Sequence, residues 1–246
     1  MKNKNTHIKR VKLKHGYIAN LVFSSELFTH ELDLETLENA FHASTNILQD
    51  NRNVIKNVTL CNQQTVVKSF KPPNLLQGLI YRYFRKTKAR RSYEYSESLR
   101  TNSIDTPKAF GYVEIFNHFR LCNSYFICES LNYDFLIRDI INEPSFHREN
   151  ILKQFTQFTF NMHQKGVLHL DYSLGNIAIT KENDDYRFHL FDINRMLFGK
   201  VSPLDGIKNF SRIPTPTFQN RQHVYSQYRL DLGLLFQYLL SWTLLF

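Results

Sequence analysis

The chain has 246 residues, with 31 Lys and Arg against 22 Asp and Glu, a formal charge of +9 and a pI near 9.4. This length buries a sizeable core without disulfides or metal staples, as one large domain or as two lobes sharing a cleft. The charge points to an anionic partner without choosing among nucleic acid, an anionic membrane and a phosphorylated substrate.

The basic stretch Lys2 to Lys14 has no apolar segment of the kind secretion needs, so it reads as a solvated arm on a cytoplasmic protein. Cys61, Cys122 and Cys128 lack metal-site spacing, and their odd number predicts reduced thiols in or near the core. Apolar residues at Leu27, Leu34, Leu37 and Phe41 predict a partly helical segment over 24–42. Residues 46–60 read as strand, turn and strand, with Asp50, Asn51, Arg52 and Asn53 forming the turn, and 65–70 (TVVKSF) supplies a third strand carrying Lys68. The spacing next predicts one long helix over 79–100, with Glu94 and Glu97 available to Lys68 and a cluster of basic and aromatic residues from Arg82 to Arg91. Asp105, Thr106 and Pro107 break it. Two further strands follow at 109–115 and 124–128, the second running into the polar segment Glu129 to Leu131. Ile151, Phe155, Phe158 and Met162 recur at a helical step over 150–163. Residues 206–218 read as loop-rich and 225–240 as helical, while the apolar stretch 230–246 carries Asp231 and Gln237 and reads as a buried terminal helix rather than a membrane span.

The chemistry concentrates in residues 166–195. His169, Asp171 and Asn176 form a His-x-Asp-x-x-x-x-Asn pattern, and two short strands flanking a turn at 182–185 end on Asp192. Phosphoryl transfer needs a carboxylate near the attacking hydroxyl and oxygen ligands for the metal that bridges the phosphates. Asp171 suits the first role; Asn176 and Asp192 suit the second. A hairpin would bring Asn176 and Asp192 together at its open end. Singly, each of these residues would read as a cap, a turn former or a core histidine; the spacing makes them a phosphotransferase constellation.

Five stretches, TVVKSFKPPN, RKTKARRSYEYS, DTPKAFGYVE, HLDYSLGNI and FDINRM, in kinase order over 46–195, resemble the lipopolysaccharide kinase (Kdo/WaaP-like) family of the protein-kinase-like fold. The resemblance implies an α+β, two-lobed fold with an antiparallel N-lobe sheet and a mainly helical, shortened C-lobe. It divides the chain into a leading segment 1–45, an N-lobe 46–131 and a C-lobe 132–246. It implies ATP and Mg2+ as cofactors, Lys68 as the phosphate lysine paired with Glu94, the backbone of Glu129 to Leu131 as the adenine hinge, Asp171 as the catalytic carboxylate, and Asn176 and Asp192 as metal ligands. The implied acceptor is a sugar hydroxyl of the lipopolysaccharide core or Kdo-lipid A, at the cytoplasmic face of an anionic inner membrane. The chain departs from protein kinases in having no Ala-Pro-Glu segment, which fits a small acceptor rather than a peptide, and no glycine between Gly16 and Gly78, where a nucleotide-covering loop usually has them. Two other readings stand beside this one: a pseudokinase or binding module, and another small-molecule phosphotransferase such as an antibiotic kinase. Nucleic-acid binding would rest on charge alone and is not expected.

Overall fold

Alternating apolar segments pair antiparallel wherever the sequence supplies a turn between them. A computed structural model describes residues 6–24, 32–142, 148–183 and 185–210. The chain divides into two units, Met1–Thr101 with Pro107–Leu131, and Asn102–Thr106 with Asn132–Phe246.

The first unit is built on seven strands: β1 (Thr6–Lys12), β2 (Ile18–Ser24), β3 (Ile47–Asp50), β4 (Asn53–Leu60), β5 (Gln63–Phe70), β6 (Ala109–Phe116) and β7 (Leu121–Glu129). They form one antiparallel sheet in the order β1-β2-β6-β7-β5-β4-β3. Helix α1 (Leu34–Ala43) lays Leu37 and Phe41 on one face, against Leu21, Val67, Val113 and Ile127. The other face is covered by α3 (Lys88–Thr101), whose Ala89 and Tyr93 pack with Val22, Phe70, Tyr112, Phe126 and Cys128. With both faces covered, every residue of β6 is buried, and its sequence is a continuous apolar run broken only by Gly111 and Glu114. Each fully buried Leu or Phe here contributes roughly 1.5–3 kcal/mol of transfer free energy.

The sheet differs from the sequence reading in three places. Residues 6–12 of the basic arm are not a free tail but an edge strand, whose exposed Lys9, Arg10 and Lys12 blunt the open edge. The helix expected over 79–100 is two helices, α2 (Leu75–Tyr83) and α3, separated at residues 84–87. Thr87 makes the break: its hydroxyl accepts the Arg90 N–H at 3.1 Å and donates to buried Glu114 at 2.8 Å, capping α3 and fastening its start to β6. Cys61 is exposed rather than near the core, because it and Asn62 form the two-residue turn between β4 and β5, both at positive φ.

The second unit holds α4 (Ile137–Asn142), α5 (Arg148–Gln164) and α6 (Pro203–Phe210), with strands β8 (Phe135–Leu136), β9 (Val167–His169), β10 (Ile177–Glu182), β11 (Asp185–Leu190) and β12 (Met196–Phe198). The strands pair as β11-β10-β8 and as β12-β9. The expected stripe on α5 buries Ile151, Phe155 and Met162, and Phe155 stacks on Tyr172. The breaker segment joins this unit: Arg187 bonds Asp105 at 2.7 Å, and the Thr106 hydroxyl donates to the Leu190 carbonyl at 2.8 Å. Residues 206–210, expected in a loop-rich stretch, close helix α6 behind a Ser202 cap that accepts the Asp205 N–H. The helix expected over 225–240 and the apolar C-terminal stretch lie outside the described residues.

Candidate active site

The functional loop starts where α5 ends. Gly166 takes φ +73°, donates its N–H to the His163 carbonyl and turns the chain into β9. A side chain here would also meet the Gly199 carbonyl at 2.4 Å, so glycine is required for conformation and for space. β9 pairs with β12 in the register Met196↔His169, and Leu170 donates to the Arg195 carbonyl. These contacts fix both ends of the loop that carries Asp171.

His169 is fully buried and bonded at both ring nitrogens. Nε2 lies 2.9 Å from the Phe191 carbonyl, which only accepts, so Nε2 carries the proton; Nδ1 then accepts the Asp171 N–H at 3.1 Å. Burial holds its pKa below the ordinary histidine value, in keeping with a neutral ring. A second proton on Nδ1 would face the Asp171 N–H donor. His169 therefore ties the loop that carries Asp171 to the strand end beside Asp192.

Asp171 is left with a half-exposed carboxylate, 3.9 Å from the Arg195 guanidinium. Five residues on, the Asn176 side-chain nitrogen donates to the Asp171 carbonyl at 2.9 Å, which leaves the Asn176 side-chain oxygen as the atom that could serve as a ligand. The β10–β11 hairpin closes as expected: Phe191 donates to the Asn176 carbonyl at 2.8 Å, placing the residue before Asp192 against Asn176. Asp192 adopts φ +49°, a conformation that Asp tolerates better than most residues, and buried Asn194 donates to one of its carboxylate oxygens. Among the described residues there is no cluster of three or more His, Cys, Asp or Glu that could hold a metal. One amide and one carboxylate oxygen still fit Mg2+, which is held by few protein ligands and keeps phosphate and water oxygens for the rest.

The sequence reading missed Asn209. It is buried on α6, accepts from His163 Nε2 at 3.0 Å and donates to the His169 carbonyl at 2.9 Å. One amide thus links α5, α6 and the strand that leads into the Asp171 loop. The local sequence gives no hint of this, because its partners lie 46 and 40 residues away.

In the first unit, alternation along β5 puts Val66, Lys68 and Phe70 on the face that α3 covers. Lys68 is 9 % exposed, opposite Phe126 in register, with its ammonium 5.3 Å from the Phe70 ring centre. Glu94, the expected partner, is held instead by Lys86 at 2.6 Å and Arg90 at 2.9 Å. The reason is helical phase. Ala89, Tyr93, Ser96 and Leu99 mark the buried stripe of α3, and Glu94 points about 160° away from it, whereas Glu97 lies about 100° away. Burial and the Glu97 charge push the Tyr93 hydroxyl up in pKa, and burial with the Glu114 and Glu94 charges pushes Tyr112 up. Glu94 and Glu97 thus both reach the cluster of Tyr93, Tyr112 and Phe126, and only helical phase and the ion pairs of Glu94 separate them. Next to Lys68, burial raises the Cys128 thiol to about 12, which keeps it inert. In the expected hinge, the Glu129 N–H is taken by the Lys108 carbonyl at 2.9 Å and its carboxylate accepts from the Lys108 N–H. The Ser130 hydroxyl bonds Asn57, and Leu131 ends the unit half-buried.

No family model matches the sequence, and no curated protein matches it at the threshold of significance. In structure, 1410 solved chains match, so the fold alone does not select a substrate. One of them is WaaP in complex with acyl carrier protein, with a TM-score of 0.56 and 15 % identity over 82 % of this chain and 81 % of that one. At that identity the likeness shows a WaaP-like, kinase-like fold: a mixed α/β chain with a large antiparallel sheet.

Proposed function

We propose that this protein transfers the γ-phosphate of Mg2+-bound ATP to a sugar hydroxyl, of Kdo or heptose, in the lipopolysaccharide inner core. The observation that carries the reading is the locked loop of the second unit, in which His169, Asn176 and the β10–β11 hairpin fix Asp171 with its carboxylate exposed. The resemblance in sequence to lipopolysaccharide kinases and the WaaP-like fold support it.

Asp171 accepts the proton of the attacking hydroxyl. Asn176 and Asp192 hold the metal, which neutralises charge on the transferring phosphates when bound. Lys68 neutralises the α- and β-phosphates, with Glu97 in place of Glu94 as the acid that orients it. The hinge reading keeps the backbone of Glu129 to Leu131, with the Glu129 N–H already taken by the Lys108 carbonyl. Such an enzyme works at the cytoplasmic periphery of the inner membrane, where its acceptor is assembled.

The glycine-free turn between β3 and β4 favours the second reading, a pseudokinase. Transfer from labelled ATP to a series of Kdo-lipid A and heptosylated acceptors separates the two. Label in the lipid that depends on Mg2+ supports the kinase; nucleotide-dependent thermal stabilisation with no label in any acceptor supports the pseudokinase.

A further inference from the structure

Helix α2 (Leu75–Tyr83) is amphipathic in the wrong sense for a surface helix. At 100° per residue, Leu75, Leu76, Leu79, Ile80, Tyr83 and the capping residue Phe84 share one arc of about half a turn. All six are exposed, Leu75 and Leu76 at 68 % and Phe84 at 86 %. The opposite arc faces the protein: Gly78 lies against Arg120 and the Leu121 carbonyl, and the Arg82 guanidinium sits 4.9 Å over the Phe116 ring. A surface helix ordinarily buries its apolar stripe and shows water its charges; α2 does the reverse. It is also firmly built. Asn74 accepts the Gln77 N–H at 2.8 Å, and the Phe84 and Arg85 amides both bond the Ile80 carbonyl.

The apolar arc has a basic rim. From Lys71 to Tyr93 there are seven Lys and Arg and no Asp or Glu. The neighbouring β6–β7 turn adds Phe119, 70 % exposed, next to Arg120. Beside the arc, Lys71, Gln77, Tyr81, Lys88 and the buried Ser124 line a cavity of about 320 Å³, large enough for a phosphate headgroup. Nine residues span only ~14 Å, far short of a hydrocarbon core of about 30 Å. No described helix is long and apolar enough to cross a membrane. A contiguous apolar patch with a basic rim and aromatic residues at one end is the composition of a helix that lies in a membrane interface.

We propose that α2 and Phe84 lie in the interface of an anionic phospholipid bilayer, the apolar arc at the acyl boundary and Lys71 and Arg85 against headgroup phosphates. Charge complementarity selects this occupant: a second copy would bring the same basic rim and a further +9 charge into contact. The inference rests on α2 itself and not on the proposed reaction.

The test is co-sedimentation of the full chain, without nucleotide, with phosphatidylcholine vesicles that contain or lack phosphatidylglycerol. The parent is expected to bind the anionic vesicles at least tenfold more tightly than the neutral ones, and less tightly as salt rises. Leu76→Gln, Ile80→Gln and Phe84→Gln together should lower that binding at least tenfold with an unchanged urea midpoint, and Lys71→Gln with Arg85→Gln should erase the preference for anionic lipid. Failure of the parent to bind, or equal binding by the triple variant, overturns the proposal. So does loss in the triple variant of self-association or of acyl carrier protein binding while vesicle binding persists, because the arc then belongs to a protein partner.

Discussion

At the scale of single residues, the decisive feature is a histidine that must stay neutral. His169 donates through Nε2 and accepts through Nδ1, and His163 is bonded to Asn209 in the interior. Burial holds both below the unfolded value of about 6.5. Their contribution to stability is therefore intact above that value and is lost as pH falls below it, since the unfolded chain takes up protons that the folded one refuses. Glu114, raised by burial, acts in the opposite sense above the ordinary carboxyl value of 4.5, so the clean measurement is ring 15N NMR. His169 should remain a neutral Nε2–H ring at pH 6; a charged ring there contradicts the assignment. Asn209→Ala leaves a buried N–H and a buried carbonyl unpaired and should destabilise by roughly 3 kcal/mol in urea titration, with a fall in kcat. Glu97→Gln should lower kcat/KM for ATP about tenfold or more, and Glu94→Gln by no more than about twofold; the reverse order restores Glu94 as the partner of Lys68. The residues legible in the sequence were those whose chemistry is local: Asp171, Asn176 and Asp192 sit at fixed steps around one hairpin. Asn209 was invisible because its partners are distant in sequence. The resemblance chose Glu94 without the start of α3, and hence its phase; that phase and the ion pairs of Glu94 favour Glu97.

At the scale of elements, strands were easier to read than helix ends. The hairpins at 46–60 and 177–190 announce themselves by alternation and polar turns, and both form, the first with a bulge between Ile47 and Gln49 that the sequence did not announce. The break between α2 and α3 did not, because residues 79–100 contain no proline and the capping Thr87 stands among lysines and arginines. Residues 6–12 form β1 for a reason that lies in β2, whose free edge they cover, and not in their own charge run. Two glycine tests follow from the turns. Gly166→Ala adds a Cβ at 2.4 Å from a backbone oxygen and forces an alanine to φ +73°, so it should destabilise by more than about 2 kcal/mol and disturb Asp171 through β9. Cys61→Gly relieves a non-glycine residue at φ +48° and should stabilise by about 1 kcal/mol. Urea midpoints check both, and a neutral Gly166→Ala contradicts the close approach to Gly199.

At the scale of the whole molecule, charge, fold and candidate site arise from different parts of the chain. The net charge of +9 allowed several anionic partners, and the structure resolves part of that surplus into an edge strand and the rim of α2. The kinase-like fold follows from long-range strand order, β6 and β7 lying between β2 and β5, which no local pattern encodes. The proposed role of Asp171 in phosphoryl transfer is measured by the rate of label transfer from ATP and Mg2+ to Kdo-lipid A in the parent and in Asp171→Asn. A fall in kcat of about 10²–10⁴-fold is expected, with the KM for ATP nearly unchanged, since the substitution removes a proton acceptor and leaves the nucleotide ligands in place. A variant that transfers phosphate as fast as the parent contradicts it.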